Sequence, residues 1–434
     1  MKMEFARMFV LSALCVIPWV SQAVPSYSRQ TGMDCSACHT AFPQLTPFGR
    51  QFKLQGYTLT NEQKAKAKGL QETTTPPLSA MIQASLSSLG HRQPDTQNNA
   101  VQFPSEFSLF YAGRISKNLG SFIQATYDGA EDHFGMDNTD IRWARQTKVG
   151  GRNVTYGLTL NNNPTVQDPW NSTPVWGFPF TDSGVAPTPA AATLVDGTLG
   201  QQVAGLGAYA MWNNLVYGEA SFYRTSQLGS APPDSNSENV IKGVAPYLRL
   251  AIEKNWGLHS IEMGAYGLTS HMYPNGVSGP VNKLHDVALD TQYQYIAGSH
   301  TMTVHGTWIY EKQEWDASFP AGNTSNSSDK LNTYKLDAIY YYKHKTGASI
   351  GYFATSGDAD KLLYQPAPVD GSRTGNPDSS GAIIGVEFMP WLNTRVGLQY
   401  TAYNKFNGAS SNYDGSGRDA SDNNTLYLYS WLMF

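Results

Sequence analysis

LSAMIQASLSSL, residues 78–89, alternates with a period of two. Leu78, Ala80, Ile82, Ala84 and Leu86 fall on one face, and Ser79, Gln83, Ser85 and Ser87 on the other. A strand with lipid on one side and water on the other carries this pattern, because successive side chains point to opposite faces of the pleat. The pattern recurs downstream. Leu248, Leu250 and Ile252 oppose Arg249 and Glu253; Val287, Leu289 and Tyr293 oppose Asp286, Asp290 and Gln292; Val396, Leu398 and Tyr400 oppose Arg395, Gln399 and Thr401.

Counted along the chain, sixteen such segments begin near residues 78, 105, 121, 139, 153, 201, 215, 244, 257, 283, 300, 330, 348, 380, 394 and 423. An even number suits a single-chain bacterial barrel. Short turns at residues 117–120, 149–152, 213–214, 254–257, 297–300, 344–347 and 390–393 alternate with long polar connections, as periplasmic turns and external loops do. The fold expected is all-β: a 16-stranded antiparallel transmembrane β-barrel over residues 78–434, with a small, mainly helical or irregular N-terminal segment over residues 24–77. The first strand ends in a long loop and so runs outward, which leaves the N-terminal segment on the periplasmic side or within the barrel. Residues 426–434, LYLYSWLMF, end the chain on alternating apolar residues and a terminal Phe, similar to the signal by which outer-membrane barrels are recognised for assembly. Trp256 and Trp391 fall in short turns, where amphipathic rings suit the membrane interface.

Composition agrees. Charged residues make up 15% and aromatic residues 12% of the chain, with 25 Tyr, 18 Phe and 10 Trp; soluble domains carry roughly 25% charge. The net charge of −4 and pI near 6.1 give nucleic acid no basic surface to bind. Residues 1–23 read as a signal peptide: Lys2 and Arg7, an apolar run over 8–20, then Ser21-Gln22-Ala23, with cleavage expected after Ala23. Cys15 follows Leu14 rather than a small residue and leaves with this leader. No later run approaches the roughly 20 apolar residues of a membrane helix, so crossing falls to strands.

The remaining cysteines stand together in Cys35-Ser36-Ala37-Cys38-His39, a C-x-x-C-H motif. Two thiols at this spacing can each form a thioether to a haem edge, and the adjacent imidazole of His39 reaches the iron from one face. The competing readings are an exported Cys35–Cys38 disulfide and a zinc site one ligand short. Phe42, Leu45, Phe48, Phe52, Leu54 and Tyr57 are the apolar anchors of this segment, most simply packed on a haem, and a short polar helix is plausible over residues 61–68. Arg50 and Lys53 are candidates to pair with propionates, or to form a solvated basic face. Spacing does not assign the sixth iron ligand; Met81, His91, His133 and His305 are the candidates. The connection over residues 163–200 holds Pro164, Asp168, Pro169, Trp170, Trp176, Phe178 and Phe180 and is long enough to demand a purpose. It either folds into the lumen, as the third loop of general porins does, or forms an external lid.

The run over residues 27–59, YSRQTGMDCSACHTAFPQLTPFGRQFKLQGYTL, closely resembles the opening of the fused cytochrome-porins, a bacterial family that includes outer-membrane iron oxidases. The resemblance implies one covalent haem c at Cys35, Cys38 and His39, a periplasmic cytochrome segment plugging a porin-like barrel in the outer membrane, and electron passage from an extracellular reductant such as Fe(II) to a periplasmic carrier such as a soluble cytochrome. Fe(II) oxidase activity is part of what it implies. Loop carboxylates such as Asp358, Asp360, Asp414 and Asp419 would bind a cation weakly, or are ordinary solvated charges. The alternative function is a diffusion porin or transporter in which the haem segment acts as a gate or sensor. Peroxidase chemistry lacks a recognisable distal acid–base pair.

Overall fold

The computed structural model describes residues 24–61, 76–226, 239–391 and 393–434. The expected leader, and the expected polar helix beyond Asn61, lie outside the described residues. Sixteen full strands form the wall. They are β1 (Leu78–Leu89), β2 (Asn99–Ser116), β3 (Leu119–Asp128), β4 (His133–Val149), β5 (Arg152–Asn161), β6 (Val203–Trp212), β7 (Val216–Thr225) and β8 (Ala245–Trp256). The second half contains β9 (His259–Tyr273), β10 (Asn282–Ala297), β11 (His300–Glu314), β12 (Ser328–Tyr342), β13 (Thr346–Gly357), β14 (Ser379–Trp391), β15 (Thr394–Lys405) and β16 (Thr425–Met433).

Each strand pairs antiparallel with its neighbours in sequence, and β16 returns to β1 in a ladder from Thr425↔Leu89 to Met433↔Met81, which closes the barrel. Closure matters because hydrocarbon offers no partner to an unpaired N–H or C=O, so an open edge is excluded. Val240–Ile241 is a two-residue addition that pairs with β9 beyond the end of β8.

The alternation read from sequence sorts onto the two faces. Leu248, Leu250 and Ile252 are exposed to the outside, while Arg249 and Glu253 on the same strand are buried in the lumen. Val287 and Leu289 likewise face out, and Asp286, Asp290 and Gln292 in. Trp256 and Trp391 stand exposed at the short-turn end, where the bilayer interface lies in an outer-membrane barrel. The chain is therefore a porin-like barrel of the bacterial outer membrane. Its short turns use backbone that most side chains avoid: Asn213 and Asn214 both take positive φ, 53° and 51°, as a two-residue turn matched to strand twist requires.

Two boundaries differ from the expectation. β2 starts at Asn99 rather than near 105, and β4 at His133 rather than near 139. The β3–β4 connection is consequently four residues, not a long loop. The ladder continues outward through Tyr127↔Phe134 and Asp128↔His133, supported by packing of the Tyr127 and Phe134 rings at 5.3 Å. Asp128 Oδ1 then accepts the N–H groups of Ala130 and Glu131 and closes the turn. A polar stretch thus became hairpin because its side chains supply their own turn chemistry.

Placing a charge on the outer wall tests the orientation of the faces. Leu250→Arg, midway along β8, should destabilise the folded barrel in lipid vesicles by roughly 2–4 kcal/mol, read from a denaturant folding equilibrium. A change within experimental noise would remove Leu250 from the lipid-facing surface.

Candidate functional site

Residues 24–61, ahead of β1, fold inside the barrel at its short-turn, periplasmic end. Three short helices carry them: α1 (Pro25–Thr31), α2 (Cys35–Cys38) and α3 (Pro47–Leu54). Helix α1 begins on a proline and stops at Gly32, whose φ of 68° ends the helical path. Helix α3 begins on Pro47 and is capped by Thr46, whose Oγ1 accepts from Gly49 N at 3.1 Å. Gly49 is required for a second reason: a Cβ there would lie 2.2 Å from the Cys38 carbonyl oxygen. Its absence lets α3 lie directly on the motif turn.

This plug is fastened to the wall by its polar groups. Ser26 Oγ donates to Ala112 O at 2.6 Å, and Tyr27 Oη to Ser121 O at 2.7 Å. Tyr57 Oη donates to Asp140 Oδ2 at 2.7 Å, and the wall tyrosine Tyr209 donates back to Leu54 O at 2.7 Å. His344 in the β12–β13 turn meets Thr40 O at 3.1 Å.

Arg50 is the strongest tie. Its guanidinium is buried and donates to Glu253, Ser260, Gln292, Gln294 and Leu45 O, with the Glu253 ion pair at 3.0 Å. Arg50 is thus neither a solvated charge nor on the wall of the motif cavity. It is a structural anchor, because an unpaired guanidinium in this lumen would be heavily penalised.

The third external loop completes the enclosure. It folds into the lumen rather than standing as a lid: Trp170 is fully buried, and its Nε1 donates to Glu253 Oε2 at 2.8 Å. The backbone N–H groups of Leu194 and Val195 donate to Glu311 and Asp286, and Lys335 pairs with Asp196 at 2.6 Å. Arg249 binds Asp168 of this loop together with the wall carboxylates Glu262 and Asp290.

Between plug, wall and loop lies a cavity with mainly apolar walls. Cys35, Cys38 and His39 all line it. The cysteines are i and i+3 on one helical turn and so share a face; no disulfide joins them. Phe42, Leu45, Phe52 and Tyr57 line it as expected, whereas Phe48 is exposed and Leu54 packs with Trp170 and Tyr209 instead. Burial pushes the Cys38 thiol up to about 11, with the neighbouring Cys35 adding to the shift. Burial also pushes His39 down to about 4, only partly offset by the Gln44 and Pro43 carbonyls beside the ring. The imidazole is therefore neutral near pH 7 and retains a nitrogen lone pair, and its Nδ1 is buried without a hydrogen-bond partner. Two thiols not joined in a disulfide, a neutral imidazole and apolar walls around one cavity fit a covalently attached haem.

None of the four sixth-ligand candidates lines this cavity. Met81 packs with Phe110 and Trp431 and borders a neighbouring cavity. His91 lies in the external loop after β1, its N–H donating to Asp422 O, and His133 pairs with Asp128 at the external end of the wall. His305 is buried on β11, with Nδ1 2.8 Å from Asp337 and Nε2 3.2 Å from Gln292. The methionine on the cavity wall is Met33, which the spacing argument passed over. Also missed was Phe122, whose one sequence signal is an aromatic at a lumen-facing strand position. The loop carboxylates are engaged by backbone: Asp360 accepts from the N–H groups of Ser325, Asn326, Leu362 and Leu363, Asp414 from those of Val369, Ser416 and Arg418, Asp358 from Lys330 and Asp419 from Asn412.

No family model matches the chain, and no curated protein matches it. Solved structures do resemble it. The outer membrane channel DcaP of Acinetobacter baumannii is 13% identical at a TM-score of 0.49, covering 82% of this chain and 96% of that one. The anion-selective porin from Comamonas acidovorans is 11% identical at 0.47, covering 82% and 98%. OmpT of Vibrio cholerae, in its trimer form, is 10% identical at 0.47, also covering 82% and 98%. At these identities the likeness is one of fold alone.

Arg50→Ala tests whether the plug depends on its buried tie. Leaving Glu253 without its ion-pair partner should destabilise the plug by roughly 3–5 kcal/mol. The expected signs are faster maleimide labelling of Cys35 in the apoprotein and higher conductance in planar bilayers. Labelling and conductance both unchanged would show that the plug is held elsewhere.

Proposed function

We propose that this porin-like barrel carries one covalent haem c in its plug and moves electrons across the outer membrane, from an extracellular reductant such as Fe(II) to a soluble carrier in the periplasm. The observation that carries the reading is the convergence of Cys35, Cys38 and His39 on one lumen cavity. A haem held there supplies a one-electron couple between ferrous and ferric iron. The chain's own residues would do the rest. Cys35 and Cys38 provide the thiols for attachment, and His39 is held neutral by burial with a nitrogen free for a metal. Phe42, Phe52, Tyr57 and Trp176 keep water from the cavity.

Access from outside is consistent with this role. Two further cavities lie beside the third loop and share Pro179 in their walls. One of them shares Phe42, Pro43 and Trp176 with the motif cavity. A small donor in that cavity would be separated from the motif cavity by these shared side chains.

A second reading is favoured by the fold itself: a diffusion pore or transporter in which the plug is a gate or sensor. The same lumen cavities serve that reading as stretches of an interrupted path.

Production in a host competent for cytochrome c maturation tests the first reading. The purified barrel should carry one haem per chain by pyridine haemochrome, and Cys35→Ala with Cys38→Ala should abolish it. Added Fe(II) should reduce the wild-type haem, and a periplasmic carrier should reoxidise it. A colourless wild type, together with steady solute conductance in bilayers, would overturn this reading in favour of the pore.

A further inference from the structure

We propose that Lys53 is the positioning residue for the anionic edge of the bound haem, its ammonium group holding a carboxylate of that molecule inside the lumen. The inference rests on the haem reading above. It starts from the charges on the cavity wall, which among the described residues are Asp34, Lys53 and Asp168. Asp168 is engaged with Arg249 and accepts from the N–H groups of Trp170, Ser172 and Thr173. Asp34 is exposed at the cavity's outer margin. Lys53 is therefore the charged side chain on this wall suited to an anion.

The ammonium is already aimed. Nζ donates to Val166 O at 2.7 Å and Asp168 O at 2.8 Å, and stands 5.0 Å from the centre of the Trp176 ring. Both Asp168 and Trp176 line the cavity. A lysine has three N–H donors, so these two bonds fix the direction of the head and leave one donor over. Burial, aided by Arg142, pushes Lys53 down to about 7, partly offset by Asp140, Asp168 and Glu219. A carboxylate in the cavity would reverse that shift, since an opposite charge in a poorly solvated site favours the ionised form. The two carbonyls belong to the third loop, so the same group would join cofactor, plug and loop.

Holoprotein bearing Lys53→Met or Lys53→Arg tests the assignment, with haem content, midpoint potential and the propionate bending bands in resonance Raman as readouts. Removing a cation beside the cofactor favours its oxidised, more positive form. Lys53→Met should therefore keep one haem per chain, lower the midpoint potential and shift the propionate bands; Lys53→Arg should restore both towards wild type. Wild-type potential and bands in a haem-loaded Lys53→Met protein would overturn the assignment and reduce Lys53 to a clasp between α3 and the loop. Should Lys53→Met fail to fold, Lys53→Gln carries the same expectation. A wild type without haem overturns the underlying reading, and this one with it.

Discussion

Lipid supplies no hydrogen-bond partner to a peptide group, and the wall obeys that constraint by closing β16 onto β1. Once closed, sixteen strands enclose a space that must be filled with water, with side chains or with more chain. Here it is filled largely with more chain, from the segment ahead of β1 and from the third external loop. Because the wall presents alternate residues inward, it meets those insertions with Arg249, Glu253, Asp290 and Gln292 rather than with hydrocarbon. The interior is consequently a polar jigsaw, and its cohesion comes from matched charges and hydrogen bonds.

That arrangement makes the charged groups interdependent. Glu253 receives Arg50 from the plug and Trp170 from the loop, so one wall carboxylate joins both insertions. Arg142 does the converse: it pairs with Asp140 on its own strand, donates to Gln167 O of the loop, and lies 5.9 Å from the Tyr57 ring of the plug. Buried ion pairs of this kind add little net stability compared with well-packed apolar groups, but removal of one partner is severe. They act here as registration marks that position each insertion along the lumen.

The sequence made the wall legible because lipid on one side and water on the other impose a period of two that survives without any alignment. All sixteen strands were found, with start positions mostly within three residues; of the exceptions, β2 and β4, the second is a place where Asp128 closes a tight hairpin that composition alone describes as loop. The motif was legible because its chemistry is local to five residues. The cavity's remaining wall was not, since Phe122, Asp168 and Trp176 come from separate segments that only barrel closure brings together. The roles of Arg50 and Lys53 illustrate the limit. Both are basic residues on α3, three positions apart, yet one faces the wall and the other the cavity, and only the partners waiting in the lumen distinguish them.

Topology also imposes a timetable. Cys35 sits beneath α3 with a relative exposure of 4%, roofed by an inserted loop and ringed by strands that come later in the chain. Little of that sulfur is left exposed in the closed barrel. A bulky reagent therefore reaches the Cys35 sulfur more readily before the wall has closed around the plug than after it, whereas half-buried Cys38 is less shielded.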